Sequence, residues 1–233
     1  MSSKPAVLVF DVNETLSDLS PLGARFVEVG ASASAAPLWF ASLLRDGFAL
    51  TAAGVNAPFA GVARELLLAQ LSQAQLNRSV TDAARHVMDG FASLEMHADV
   101  VNGVDRLAED GYRLVTLSNG ATSVAERLLE AAGVRDRFER LLSVEDAPAW
   151  KPAASAYTYA AEQCGCRLED MAMVAVHPWD VDGARRAGMQ TVWVNRSDSP
   201  FSAVFSEPHH TVAAIDELPD LWQEPTGPPR TDL

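Results

Sequence analysis

Cysteine is nearly absent from this chain: Cys164 and Cys166 are the only two thiols in 233 residues. A disulfide framework is excluded, and the C-G-C spacing has no companion ligands nearby, so both read as reduced thiols. Positive charge is scarce too. Lys and Arg number 18 against 31 Asp and Glu, a net charge of −13. That balance argues against nucleic acid and anionic membrane surfaces as partners, though not against a small anionic molecule held at a local positive site. No apolar run reaches the roughly 18 residues that span a bilayer. The first residues, MSSKPAVLVF, lack a basic stretch followed by an apolar one and a cleavage site, so no signal peptide is expected and the cytoplasm is the expected compartment. Internal repeats are missing as well.

What the chain does have is apolar content, 48%, enough for a full core. Short apolar runs at 7–12, 113–118, 141–144, 173–176 and 191–194 read as buried strands. Helical periodicity fills 100–110, 122–132, 153–163 and 180–187. This alternation predicts βαβ units and an α/β fold, a doubly wound, Rossmann-like parallel sheet. Residues 18–96 break the pattern with helical periodicity alone. They are expected to form a helical insert after strand one, leaving 1–17 plus 97–222 as the sheet domain. The tail, 223–233, is rich in Pro, Gly and charge and is expected to be disordered.

Open parallel sheets bind ligands at the carboxyl ends of their strands. Strand one delivers Asp11-Val12-Asn13-Glu14-Thr15 there, and strand two Ser118-Asn119-Gly120. Lys151 follows strand three, and His177-Pro178-Trp179-Asp180 ends strand four. Asp11 closes an apolar strand, where a carboxylate can be metal ligand, nucleophile, base or merely a turn cap. Lys151 can hold an anionic neighbour ionised. Ser118 and Asn119 can donate to a carboxylate or departing anion, and equally can form an ordinary strand-to-helix turn. Glu14 and His177 sit at adjacent strand ends, and a His oriented by a carboxylate is a general base suited to neutral pH. His209 and His210 read as surface residues of a late loop, while His86 and His97 have no evident partners. Trp39, Phe40, Phe48 and Phe59 fit an apolar lid or a core equally well.

The segments FDVNETL, TLSNG, KPAASAY and HPWDVDGA resemble, in order and spacing, the four motifs of the haloacid dehalogenase superfamily. The resemblance spans about residues 5–220, and the helical insert resembles that superfamily's cap domain. Most members are Mg²⁺-dependent phosphatases with D-x-D in motif one and G-D-x-x-x-D in motif four. Here Asn13 stands for the second Asp of motif one. Ala175 and Val176 stand for the Gly-Asp of motif four. Val176 offers a hard cation no side-chain oxygen.

The chain is most similar to the type II (S)-2-haloacid dehalogenases, a branch without metal or cofactor. The resemblance implies that Asp11 attacks the halogen-bearing carbon of a short 2-haloalkanoic acid. Halide leaves, and water hydrolyses the resulting ester to a 2-hydroxy acid. It implies Thr15 on Asp11 or the substrate, Lys151 paired with Asp11, and Ser118 and Asn119 on the substrate carboxylate and halide. Tyr157, Asn13, Trp39, Phe40 and Trp179 would line the site, and Asp180 would position water. A homodimer is the family's common state. Two departures stand out. The family's Arg after the cap Trp is here Phe40, with Arg45 and Arg64 as distant substitutes. The Ser and Asn that precede its motif-four Asp are here Ala175 and His177. A Glu14–His177 pair is therefore expected to activate the hydrolytic water. The competing expectations are a small-molecule phosphatase of the same fold and a superfamily member that binds without catalysis.

Overall fold

The computed structural model of the protein describes residues 4–222. The tail expected to be disordered lies outside them. Six parallel strands form one sheet: β1 (Val7–Phe10), β2 (Arg113–Ser118), β3 (Phe138–Ser143), β4 (Met171–Ala175), β5 (Gln190–Val194) and β6 (His210–Val212), in the order β3-β2-β1-β4-β5-β6. The α/β, Rossmann-like class expected from the alternation is the one observed.

The sheet works because β1 and its neighbours are apolar on both faces. Side chains alternate, so Val7 and Val9 enter one core and Leu8 and Phe10 the other. The second core is sealed by α5 (Val100–Glu109) and α6 (Thr122–Ala131), through Val100, Val104, Leu107 and Leu129. The first is sealed by α7 (Ala154–Cys164) and α8 (Pro178–Ala187). Both of these helices stop where the chain turns left-handed, at Gly165 (φ 61°) and Gly188 (φ 104°), as glycine C-caps allow. Cys164 and Cys166, at the end of α7, are free thiols.

Between β1 and α5 lie four helices, α1 (Leu22–Glu28), α2 (Ala35–Ala52), α3 (Phe59–Leu71) and α4 (Val80–Ala92). α2 packs on α3, α3 on α4 and α4 on α1. Their apolar faces run on into the first core through Trp39, Phe59 and Phe91. The contact with the sheet domain is tight at Gly47, where a Cβ would lie 2.2 Å from the ring of Trp150, the residue before Lys151. Among the described residues no helix is long and apolar enough to cross a membrane.

β1, β4 and β5 shift from the sequence reading by one or two residues at an end, and the two edge strands depart further. β3 starts at Phe138 rather than at 141, because Glu139 and Arg140 are exposed on an edge strand and break the apolar run. β6 adds an edge at His210, so that residue is part of the sheet and not of a loop. His209 is exposed yet anchored, its Nδ1 accepting from the Thr191 backbone at 3.1 Å.

Candidate active site

The chain leaves β1, builds outward through β2 and β3, and returns to the other side of β1 with β4. The reversal puts a crevice at the carboxyl ends of β1 and β4. Asp11 stands one residue past β1, its N–H donating to Val174 O at 3.0 Å. Only 3% of it is exposed.

Both of its oxygens are engaged. Oδ1 accepts from Lys151 Nζ at 2.9 Å. Oδ2 accepts from Thr15 Oγ1 at 2.9 Å and lies 3.1 Å from His177 Nδ1. Thr15 is itself fixed, accepting from the Val176 N–H at 3.1 Å. Lys151 is fully buried and donates a second bond, 2.6 Å, to Asp180 Oδ2. Tyr157 donates to the other Asp180 oxygen at 2.7 Å. Asn119 clamps the Lys151 backbone, accepting its N–H at 3.0 Å and donating to its carbonyl at 3.3 Å. His177 Nε2 meets Glu14 Oε2 at 2.8 Å, so the ring bridges Asp11 and Glu14.

Burial favours the neutral form of Asp11, but Lys151 and His177 outweigh it and hold the carboxyl far below its usual range. Asp180 moves the other way: burial and the nearby Asp11 charge raise it, against the pull of Lys151 and Tyr157. Burial also opposes a charge on His177, yet its two carboxylate partners push it up to about 9. At rest a charged His177 ring thus stands between the Asp11 and Glu14 side chains.

A pH test follows. A His raised in the folded state stabilises fully below its unfolded value of about 6.5, and the stabilisation is lost as pH rises through its folded value. Between about pH 6.5 and 9.5, urea denaturation should show a loss on the order of 2–3 kcal/mol that a His177→Gln variant lacks. Equal pH profiles for the two proteins would contradict the bridge.

The other expected residues separate. Phe40 and Trp179 both lie tilted to the His177 ring, at centroid distances of 6.5 and 4.9 Å. Asn13 (7% exposed) and Ser118 (3%) approach the Gly120 turn, whose N–H donates to Ser118 Oγ at 2.9 Å. Trp39 is elsewhere. It is fully buried, donates to Ala63 O at 3.0 Å and packs on Phe26 and Phe91, so it belongs to the core of the four helices. Tyr157, also fully buried, backs Asp180 and does not line open space. Arg45 and Arg64 are exposed and paired with Asp46 and Glu65, so neither replaces the missing arginine. Two groups that no motif marked reach the site loop: His97, on the Glu14 carbonyl, and Arg196, on the Thr15 carbonyl. A cavity of roughly 640 Å³ opens on this side, lined by Glu14, Phe40, Val176, His177, Trp193 and Arg196 among others.

The donor set fits a hard divalent cation poorly. Such an ion needs several free oxygen ligands. Here the carboxylate oxygens of Asp11 and Asp180 are taken by the ammonium, hydroxyl and imidazole donors. The Val176 carbonyl accepts from Trp193 Nε1 at 2.9 Å. Among the described residues no three His, Cys, Asp or Glu side chains group as a metal site.

Comparison with known proteins bears on the family. Residues 5–188 match the model of a family of hydrolases described as haloacid dehalogenase-like. Haloacetate dehalogenase H-2 of Moraxella sp. (strain B) is 33% identical over 139 residues, 60% of this chain and 62% of that protein, a little under two thirds of its length. (S)-2-haloacid dehalogenase 2 of Pseudomonas sp. (strain CBS-3) is 26% identical over 219 residues, 92% of this chain and 94% of that one. A crystal structure of a dehalogenase with an intermediate complex superposes with a TM-score of 0.88 at 27% identity, covering 96% of this chain and 100% of that one. With the matched model covering most of its length, the chain belongs to the haloacid dehalogenase-like hydrolase family.

Proposed function

We propose that the protein hydrolyses short 2-haloalkanoic acids to 2-hydroxy acids, without a metal, through an ester on Asp11. The observation that carries this reading is a buried carboxylate kept ionised by Lys151 and His177 at the β1–β4 crevice. The relatives named as haloacid and haloacetate dehalogenases support the substrate class. The helical segment 18–96 acts as the cap and 1–17 with 97–222 as the core.

In the first step an Asp11 oxygen attacks the halogen-bearing carbon. The C–O bond forms as the carbon–halogen bond breaks, and halide leaves with the bonding pair. No proton is needed on the leaving group, so Asn13 in place of a second Asp is no handicap. With Phe40 where the arginine would be, Lys151 and the imidazolium are the cations nearest Asp11, and they offset its charge against an incoming substrate carboxylate.

In the second step water adds to the Asp11 carbonyl carbon and gives its proton to His177. The bond from that carbon to the substrate oxygen then breaks as that oxygen takes the proton back from His177, and the hydroxy acid leaves with Asp11 regenerated. The ring can serve as base because the ester carries no charge: one of the two carboxylates that held its proton has been neutralised. The proton that the ring carries at rest leaves to solvent through Glu14 before water attacks; the Glu14 side chain is 43% exposed and lines the cavity.

The test is an assay of purified protein in chelator. Halide release from 2-chloropropionate without Mg²⁺ supports the proposal. Phosphate release from small phosphoesters, dependent on Mg²⁺, would replace it with a phosphatase.

A further inference from the structure

Glu14 holds an unusual backbone. Its φ is 61°, left-handed, and Asp198 is the only other non-glycine residue with a positive φ among the described residues. A glutamate has no local reason to be there, so the surroundings must impose it. They do so through three successive carbonyls. Glu14 O lies 3.1 Å from His97 Nε2, Thr15 O accepts from Arg196 Nη2 at 2.9 Å, and Leu16 O accepts from the His97 N–H at 3.0 Å. The grips are themselves anchored. Arg196 Nη1 donates to Asp99 Oδ1 at 2.9 Å, and Asp99 Oδ2 accepts from Ile215 N at 2.7 Å. Burial and the Arg196 charge keep the His97 ring below its usual range, so near neutrality it carries one N–H, and the carbonyl fixes that proton on Nε2.

We propose that His97 and Arg196 are positioning residues for ester hydrolysis: they lock the Glu14–Leu16 backbone so that the Glu14 carboxylate points at His177. Neither touches the reacting atoms. The left-handed residue aims its side chain where an ordinary helical or extended backbone would not, and the ring of His177 takes its orientation from that carboxylate. Loss of the grip lets the loop relax and turns Glu14 away. The first step is affected far less: Lys151 stays on Asp11, and Thr15, the member of this loop that bonds Asp11, keeps its own anchor in the Val176 N–H.

This inference rests on the ester route above, and the test separates the two. Single-turnover mixing would follow halide release and, by intact-protein mass, the decay of ester on Asp11. His97→Leu should leave halide release within about twofold and slow ester decay about tenfold or more. His97→Gln, which keeps a side-chain N–H donor, should recover most of that loss. Arg196→Lys, which keeps the charge facing Asp99, should slow ester decay in the same selective way and covers the case in which His97→Leu folds poorly. Because His97 acts through Glu14, adding His97→Leu to a Glu14→Gln protein should slow ester decay no further. Equal slowing of both steps, wild-type ester decay in the Leu variant, or additive effects with Glu14→Gln would overturn the positioning role while leaving the ester route standing. A wild-type protein that forms no ester would remove both.

Discussion

Asp11→Asn should abolish dehalogenation, with halide release falling about 10⁴-fold or more, as loss of a covalent nucleophile does. The amide oxygen is a far weaker nucleophile than the carboxylate, and the other carboxylate lining the cavity, Glu14, is turned to the His177 ring. Asp180, the second carboxylate on Lys151, has its oxygens bound to Lys151 and Tyr157 and is fully buried. The substitution also strands charge. Lys151 is 0% exposed and would keep one carboxylate of two, and breaking a buried pair in this way costs about 3–5 kcal/mol. Activity therefore has to be read on protein shown to be folded by near-ultraviolet circular dichroism. A folded Asp11→Asn protein that retains even a hundredth of wild-type halide release would mean that another group attacks the carbon.

The second large effect is expected at His177. Replacement by Ala removes the base but neither Asp11 nor Lys151, so the first step continues and the second stalls. Ester hydrolysis should slow by about 10²- to 10⁴-fold, the usual contribution of a general base. The protein should then gain the mass of the substrate's carboxyalkyl group, on a peptide containing Asp11. Alkylation should slow as well, since Asp11 loses one of its two positive neighbours, but by much less. Steady turnover at the wild-type rate would show that another group, with Asp180 the obvious choice, activates water.

The centre of this fold was plain in the sequence because β1 and β4 are buried on both faces and therefore continuously apolar. The polar residues that follow their carboxyl ends, Asp11 and His177, mark the crevice for the same reason. The edges were harder to read. β3 carries Glu139, which pairs with Arg113 at 2.7 Å, and a strand that is half solvated loses its apolar run. β6 is three residues long and begins with a His and a Thr. The motif residues Lys151, Tyr157 and Asp180 meet beside Asp11, with Tyr157 bonded to Asp180 and Asn119 to the Lys151 backbone. Trp39 shows the limit of reading aromatics: a Trp in a helix next to a ligand site looks the same in sequence whether it faces ligand or core. His97 and Arg196 left no signal at all. Their partners are backbone carbonyls, which every residue has, and 83 and 181 positions separate donor from acceptor.

The most direct measurement is a single turnover in water labelled with oxygen-18, with enzyme in excess over 2-chloropropionate. Hydrolysis of an ester at the Asp11 carbonyl puts the heavy oxygen into the Asp11 carboxylate, and the first lactate formed carries oxygen from the protein. Heavy oxygen in that first lactate, with Asp11 unlabelled, would mean that water attacks the carbon itself and that Asp11 is a base and not a nucleophile.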